Sequence, residues 1–370
     1  MLKWAIARDG LDVDAFLVQD KNENVRQWIE GEREPTVKQL EDFSRQVHIP
    51  FGYLLLPEPP EEPQPIPFFR TVIDDRQERQ MSLAVYDTII TLQRRQEWLH
   101  EYLLDNEYAP LPFVGRFPET ATVEEVVADI RRTLDFEPEW ASRNPTWSDA
   151  LIALRERVEN LRIMMVFNSV VGNNTKRPIP LEECRGFVLI DRMAPFLFVH
   201  NGDAKSAQMF TIMHELAHIW FGKSAGFDLA QLQPAEDDLE KKCDAIAAEL
   251  LVPKAVFLRK WRESLDPETV ARHFKVSQLV IARRALDTGQ WTRETFFRFY
   301  QQHIQTDHRK QQNSPGGDFF KTQRVRLSRR FSVFVREALQ SNQIIYRDAY
   351  KLTGIKGATF EKYMKEKLDA

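Results

Sequence analysis

The chain has 370 residues, of which 43% are hydrophobic and 29% are charged. This length and composition predict two or three domains with a sizeable core and exclude a wholly disordered protein. No apolar run reaches the roughly 18 residues that a membrane-spanning helix needs, and the first residues lack the apolar stretch of a secretory signal. We therefore expect no membrane partner. Since there are only two cysteines, we also expect no disulfide framework and a cytoplasmic location.

The net charge of −4 hides a division along the chain. Residues 1–253 hold 27 basic and 43 acidic side chains, whereas residues 254–370 hold 24 basic and 12 acidic ones. The body is therefore acidic and the C-terminal third is basic. Two interpretations stay open: the basic third meets a polyanion or an acidic partner, or it docks against the acidic body of the same chain.

Short helical patterns fill the first 57 residues and predict a compact all-α module. These patterns run over residues 2–7, 13–19, 24–30 and 36–47. Gly31 predicts the end of the third helix, and Thr36 predicts the cap of the fourth. The string PEPPEEPQPIP, residues 57–67, then predicts an extended connector, because proline at this density favours a polyproline-like segment.

The central part of the chain changes from helical to strand-like patterns and back. Helical spacing covers residues 78–104, 122–134, 147–160, 206–221 and 234–251, the second of these starting at Thr122. Runs rich in β-branched and aromatic residues cover 162–171, 186–191 and 195–201. Beyond Pro253 the pattern is helical again, except for a loop over residues 311–318. This order predicts an α+β fold that is mostly α, with a small β-sheet.

The segment FTIMHELAHIWFG, residues 210–222, contains candidate metal-binding and catalytic residues. On a helix, His214 and His218 lie on one face because they are four residues apart, so both imidazoles can bind the same metal ion. Glu215 lies beside that face, where its carboxylate can hold a water molecule without binding the metal. Two neutral nitrogen ligands and an adjacent general base are what a zinc hydrolase requires.

A catalytic zinc ion also needs a third protein ligand. The segment LEKKCDAIAAELLVP offers Glu240 for this role. Asp244 lies one helical turn further on, where it can accept a hydrogen bond from a ligating imidazole and fix its tautomer. The acidic residues 236–238 are also nearby and suit a helix start, but the apolar residues around Glu240 indicate a packed segment and favour Glu240.

The strings HELAH, E-x-x-C-D-x-x-A-A-E-L-L-V-P and PFLFVHN together resemble the ImmA/IrrE metallopeptidases. The resemblance implies Zn²⁺ bound by His214, His218 and Glu240, with Glu215 as the general base. It also implies an Xre-type helix-turn-helix domain, a minimal zincin-like domain with an HExxH helix and a further C-terminal domain. On this basis we predict a helix-turn-helix-like domain at 1–57, a proline-rich connector at 58–70, a metallopeptidase domain at 71–253 and a basic helical domain of helix-turn-helix-like or sensor type at 254–370.

The function that the resemblance implies is limited proteolysis. A zinc-dependent endopeptidase would cleave a transcriptional repressor or an antitoxin, encoded nearby, and so relieve repression. The alternative is a DNA-binding transcriptional regulator or antitoxin in which the zinc domain is structural or sensory. The sequence leaves open the identity of the substrate, the cleavage site, the activating signal, the oligomeric state and the residue that stabilises the oxyanion, for which His200 is a candidate.

DNA is a candidate partner through either end of the chain. In an Xre-type fold the recognition helix would begin near Asn24 and present Asn24, Arg26 and Gln27. Residues 1–57 hold seven basic and ten acidic side chains, so this module binds either DNA or a protein partner.

The basic third contains two further candidate segments for nucleic-acid contact. DPETVARHFKVSQLVIARRALDTG has a helix-turn-helix pattern that leaves four basic residues near its surface: Arg272, Lys275, Arg283 and Arg284. The string KTQRVRLSRR, residues 321–330, is followed by a second pattern of this kind over residues 341–368. Which end of the chain contacts DNA stays open at this point.

Overall fold

The computed structural model describes residues 1–62, 81–223, 226–227, 238–307 and 319–368. They are mostly helical and contain one small sheet, so the predicted α+β class with a mostly helical character is confirmed. The chain divides into two compact units, one formed by residues 1–65 and 72–91 and the other by residues 66–71 and 92–370. Within the described residues, no helix is both long enough and apolar enough to cross a bilayer.

Short helices build the first unit. They are α1 (Leu2–Arg8), α2 (Val13–Leu17), α3 (Glu23–Glu30), α4 (Val37–Gln46) and the first part of α5 (Leu83–Asp105). The predicted helix signals are confirmed: Gly31 ends α3 with a φ of 77°, and Thr36 caps α4 through reciprocal hydrogen bonds with Gln39. The core of this unit contains Ala5, Ile6, Phe16, Val25, Phe43, Val47, Ile49, Leu54 and Leu83.

A buried arginine fixes two points that flank the connector. Arg8 on α1 pairs with Glu62 at 2.6 Å and donates a hydrogen bond to the backbone oxygen of Met81 at 3.0 Å. Residues 63–80, which include most of the predicted connector at 58–70, lie outside the described residues. Helix α1 therefore holds the chain on both sides of that segment.

The second unit contains the rest of α5 and all remaining elements. Its first part consists of α6 (Val123–Leu134), α7 (Trp147–Asn160), β1 (Met164–Asn168), β2 (Gly186–Leu189), β3 (Phe196–His200), α8 (Lys205–Phe221), β4 (Gly226–Phe227) and α9 (Asp238–Leu251). The helices that follow are α10 (Lys254–Ser264), α11 (Pro267–Phe274), α12 (Gln278–Asp287), α13 (Arg293–Asp307), α14 (Phe319–Arg326), α15 (Arg329–Gln340), α16 (Tyr346–Thr353) and α17 (Gly357–Lys362), and a π-helical turn spans Tyr363–Lys367.

The sheet has the strand order β1-β3-β2-β4. Strands β1 and β3 are parallel, and β2 is antiparallel to both β3 and β4. Strands β1 to β3 occur where the sequence predicts strands, whereas β4, with two residues, is too short to leave a recognisable pattern. The predicted loop 311–318 and the start of the predicted helix 234–251 lie outside the described residues.

Each face of the sheet packs against different helices, since successive side chains of a strand point to opposite sides. Leu197 and Val199 of β3 belong to the same core as Ile212 and Leu216 of α8. Phe196, on the other face of β3, packs against Phe331 of α15 with ring centroids 5.6 Å apart. Strands β1, β2 and β3 are buried along their whole length, as expected for a sheet covered on both faces.

The main core continues past residue 253. Phe257 of α10, Phe274 of α11 and Ile281 of α12 belong to the same hydrophobic cluster as the residues of α8. Arg259 of α10 pairs with Glu139 at 2.6 Å. Helices α10 to α12 therefore pack as part of the same core as α8, while the domain boundary at 253 stays a prediction.

Asp129 connects α6 to the end of α8. Its carboxylate is 4% exposed, accepts the indole N–H of Trp220 at 2.8 Å and pairs with Arg116 at 2.9 Å and with Arg132. Trp220 is fully buried and lies two residues after His218. The carboxylate therefore fixes the helix turn that also carries His218.

We predict that Asp129→Asn lowers the free energy of unfolding by about 2 kcal/mol, because it removes the charge of a buried carboxylate that bonds the Trp220 indole and pairs with Arg116 and Arg132. Urea denaturation followed by tryptophan fluorescence measures the change. Asp135→Asn is the matched control, since Asp135 pairs with Arg157 through a side chain that is 98% exposed; we expect it to change stability by less than about 0.5 kcal/mol. Equal losses in the two variants would contradict the role given to the buried contacts.

Candidate metal centre

Helix α8 is held at both ends by backbone contacts. At its start, the side chain of Gln208 donates to the carbonyl oxygens of Asn201 and Asp203. At its end, Gly115 N–H donates to the carbonyl of Ile219 at 2.9 Å. Gly222 ends the helix with a φ of 70°, and a Cβ atom there would lie 2.9 Å from the Cα of Gly115. Glycine at position 222 therefore allows the segment before α6 to approach and satisfy the end of α8.

His214, His218 and Glu240 converge between α8 and α9. The two Nε2 atoms are 3.0 Å apart, and the carboxylate oxygens of Glu240 lie 3.1 Å from Nε2 of His214 and 3.2 Å from Nε2 of His218. Both histidines are fully buried, and Glu240 is 5% exposed. We call these three residues the His-His-Glu cluster; the sequence predicted all three as ligands, and the fold brings them together.

Two opposing effects set the pKa values of the cluster: burial disfavours the charged form of each group, and close partners of opposite charge favour it. Burial disfavours the charged imidazolium of His214, but hydrogen bonds with Asp244 and Glu240 outweigh it and raise the pKa to about 10. Burial lowers the pKa of His218. For Glu240, burial acts upward on the pKa, but its contacts with His214 and His218 bring the value down to about 2. Burial and the close contacts thus act in opposite directions on the pKa of each of these three groups.

Glu215 lies next to this cluster without a bonding partner of its own. Both carboxylate oxygens are buried, and neither makes a hydrogen bond within the described residues. Burial raises the pKa of Glu215 to about 8. Buried polar atoms are nearly always satisfied, so the two oxygens indicate that Glu215 faces something other than the protein, such as a water molecule, a substrate or a cation.

These residues fit a divalent metal ion. Two imidazole nitrogens and one carboxylate oxygen form a ligand set of catalytic zinc sites, in which a fourth position is left for water or substrate. Metal–ligand bonds of about 2.0–2.1 Å in a tetrahedron place the ligand atoms about 3.3 Å from one another. The observed separations of 3.0 to 3.2 Å in the His-His-Glu cluster are close to that value.

Asp244 lies where the sequence predicts it, one turn of α9 beyond Glu240. Its Oδ1 atom is 3.0 Å from Nδ1 of His214. This contact places the Nδ1 proton of His214 on the side of Asp244 and directs Nε2 toward the cluster. Asp244 therefore orients one of the two imidazoles.

His200, the candidate for stabilising the oxyanion, lies outside this arrangement, as does Glu249 of α9. His200 uses both ring nitrogens: Nε2 donates to the carbonyl of Ile179 at 3.0 Å, and Nδ1 accepts from Gly202 N–H at 3.1 Å. It is therefore engaged in the strand end rather than available to an oxyanion. Glu249 accepts the N–H of Lys254 and pairs with Arg284, which fixes the corner between α9 and α10.

Gly186 is a residue of the site that sequence reasoning missed. It begins β2, and a Cβ atom there would lie 2.3 Å from Cγ2 of Thr211, 3.0 Å from the carbonyl oxygen of Phe198 and 3.6 Å from Oε1 of Glu215. Thr211 and Glu215 are four residues apart on α8 and so face β2 together. A glycine at the start of a buried strand is a signal of close backbone approach, and here it makes room for the helix that carries Glu215.

The predicted nucleic-acid contacts of the first unit lie on α3. Asn24 and Arg26 are exposed and Gln27 is half-buried. Arg26 and Gln27 both donate a hydrogen bond to the carboxylate of Glu23. Two of the three side chains predicted to contact DNA therefore already bond an acidic residue of the same helix.

The predicted contacts of α11 and α12 also have internal partners. Arg272 pairs with Glu268, Arg283 with Asp287 and Arg284 with Glu249. Lys275 is 9% exposed, donates to the carbonyl of Arg272 and lies over the ring of Trp147. The expectation that all four residues lie near the surface is therefore wrong for Lys275 and for Arg284, whose side chain is 11% exposed, because both pack against the core.

Comparison with known families agrees with this geometry. Residues 173–286 match the family described as the IrrE N-terminal-like domain, Peptidase M78. The match includes the His-His-Glu cluster, Glu215 and Asp244, and it supports the resemblance to the ImmA/IrrE family and a metallopeptidase-type function. Residues 327–366 match a second family, described as a domain of unknown function, DUF8813. No curated protein and no solved structure has significant similarity to the chain.

We predict that Asp244→Asn weakens zinc binding by about 10- to 100-fold, because the amide cannot hold the imidazole of His214 as the carboxylate does. Competition with a chromophoric zinc chelator measures the affinity. Asp238→Asn is the control, since Asp238 starts the same helix with a side chain that is 98% exposed. An equal loss in both variants would attribute the effect to net charge rather than to the contact with His214.

We predict that Gly186→Ala lowers the free energy of unfolding by about 2 kcal/mol, because the added methyl group collides with Thr211. Thr211→Ser removes the colliding Cγ2 atom, so it should restore part of the stability when combined with Gly186→Ala. Urea unfolding of the wild type, both single variants and the double variant gives the coupling energy. Additive effects would show that the two side chains do not compete for the same space.

Proposed function

We propose that this chain is a cytoplasmic, zinc-dependent endopeptidase that cleaves a specific regulatory protein, a transcriptional repressor or an antitoxin encoded nearby. The observation that supports it is the position of Glu215. A buried carboxylate without a bonding partner in the described residues lies beside two imidazole nitrogens and a second carboxylate. A purely structural zinc site closes all four positions with protein ligands and has no use for such a group.

His214, His218 and Glu240 would hold the zinc ion in the proposed enzyme. When bound, zinc supplies Lewis acidity, which lowers the pKa of a coordinated water and polarises a peptide carbonyl. The positive charge also favours the ionised form of Glu215, opposing the effect of burial on its pKa. Glu215 is then ready to accept a proton.

The chain's own contribution to peptide hydrolysis is proton transfer and orientation. Glu215 would take a proton from the attacking water and deliver it to the nitrogen of the departing amine, so that the proton is conserved through the step. Asp244 keeps His214 in the tautomer that presents Nε2. Gly186 keeps β2 close to the helix without displacing the Glu215 carboxylate.

We predict that Glu215→Gln keeps zinc but lowers cleavage of the partner by at least about 100-fold, because the amide cannot accept the proton. The test co-expresses each variant with the product of the neighbouring gene, followed by mass spectrometry of that product and zinc analysis of the purified chain. The control is Glu263→Gln, at a side chain that is 54% exposed on α10, and it should cleave like the wild type.

Two outcomes would overturn the proposal. Cleavage by Glu215→Gln at the wild-type rate would exclude the peptidase mechanism. Normal control of the target genes by Glu215→Gln would favour the alternative, a DNA-binding regulator in which the zinc domain is structural or sensory.

A further inference from the structure

Five arginines lie on or next to α7, α14 and α15, and α15 contacts both of the other two helices. We call Arg155, Arg162, Arg324, Arg329 and Arg330 the arginine cluster. Arg329 and Arg330 are exposed, and the other three are half-buried. The charges of Arg155 and Arg329 both lower the pKa of Glu159, and those of Arg324 and Arg329 both lower the pKa of Tyr363. The charge of Arg330 lowers the pKa of Arg162.

A group of buried, hydrogen-bonded polar side chains connects the helices that carry this cluster. The Ser328 hydroxyl donates to Oε1 of Glu159 at 2.7 Å, and Ser332 bonds both the carbonyl of Ser328 and the hydroxyl of Tyr363 at 3.0 Å. Ser328 and Ser332 are completely buried, and Glu159 is 9% exposed. Glu159 therefore bonds the start of α15 from the end of α7, and Arg329, the residue after Ser328, donates from Nε to the carbonyl of Leu368 at 3.4 Å.

The arginine cluster differs from the other cationic segments in the partners of its charges. Arg26 on α3, Arg272 on α11 and Arg283 on α12 each form a salt bridge with a carboxylate of the same helix. In the described part of the chain, by contrast, Arg155, Arg324 and Arg330 have no carboxylate within 4.0 Å. Residues 319–368 as a whole hold twelve lysines and arginines and four acids. The basic side chains of this segment therefore outnumber its acidic ones by eight, twelve against four.

The chemistry of the cluster favours phosphates of a duplex over other polyanions. Guanidinium groups match phosphate oxygens in pairs. Binding of single strands relies on exposed aromatic rings that stack on bases, but Phe331, Phe334 and Tyr363 beside the cluster are at most 1% exposed. Tyr108 is 38% exposed, and one face of its ring already holds the Arg162 guanidinium at 5.5 Å from the centroid. A protein partner would need an apolar centre in the contact, and the cluster consists of charged side chains.

We propose that the arginine cluster binds the phosphate backbone of double-stranded DNA. This assigns a ligand to the part of the chain that contains the DUF8813 match and is independent of the peptidase activity. The helices α7, α14 and α15 contact β1. Glu215 adjoins Gly186 of β2, and β3 lies between β1 and β2, so the helices that carry the arginine cluster and the residues of the metal centre lie at different strands of the sheet.

The test is fluorescence anisotropy of the full-length chain with a labelled random-sequence duplex of about 30 base pairs, titrated at several salt concentrations. The triple variant Arg155→Gln/Arg324→Gln/Arg330→Gln should bind at least about tenfold more weakly, and the slope of log K against log salt should fall by about 2 to 3, since each lost phosphate contact contributes about 0.9. A second triple variant with lysine at the same positions should retain most of the binding, because it keeps the charge.

The matched control removes the same charge elsewhere: Arg26→Gln/Arg272→Gln/Arg283→Gln should bind within about twofold of the wild type. The proposal is overturned if the wild type does not bind the duplex, if the control loses as much affinity as the first variant, or if the first variant keeps the wild-type salt slope. Binding of the wild type to vesicles rich in phosphatidylserine, without binding to DNA, would also overturn it. Thermal melting of each variant establishes that it is folded; if the glutamine variant does not fold, weak binding by a folded lysine variant overturns the proposal.

Discussion

Burial of two imidazoles and two carboxylates between α8 and α9 is the constraint on which the rest of the second unit depends. Each of these groups is at most 5% exposed, and an isolated charge in such a place costs several kcal/mol. The cluster reduces that cost by bringing the carboxylate of Glu240 to within 3.1 Å of the His214 imidazole and 3.2 Å of the His218 imidazole. Such pairing works only at short distance, so α8 and α9 must be held in fixed positions.

The contacts around α8 meet this requirement from several directions. Gln208 fixes the start of the helix, the backbone of Gly115 fixes its end, and Asp129 fixes Trp220 near the last turn. Gly186 of β2 has no side chain to hold α8 away from the sheet. These contacts use the backbone or a buried charge. A small rotation of α8 would therefore break several of them together, which makes the position of Glu215 well defined.

Local spacing predicted the centre of the site, because its rules operate within one helix. His214 and His218 share a face through the helical period, and Glu240 stands out as an acid within apolar flanks. Thr36 and Gly31 follow from capping rules of the same range. The missed features depend on which segments meet. The collision that forces glycine at 186 involves Thr211, and the carboxylate that holds Trp220 lies on α6, so neither can be found from a pattern inside one helix or strand. Strand β4 was missed for a different reason, since two residues carry no periodicity.

The prediction from charge was limited in the same way, because a count of charged residues does not show which of them are paired in the fold. The basic third predicted from the count consists of two parts with different surroundings. In α10 to α12, Arg259 and Arg284 pair with Glu139 and Glu249 of the acidic body, which agrees with the interpretation that basic segments dock on that body. At the start of α15, the body contributes the buried Glu159, which accepts a hydrogen bond from the Ser328 hydroxyl. The interpretation that basic segments dock on the body therefore fits α10 to α12, whereas the proposal of a phosphate ligand rests on Arg155, Arg324 and Arg330, which have no carboxylate within 4.0 Å among the described residues.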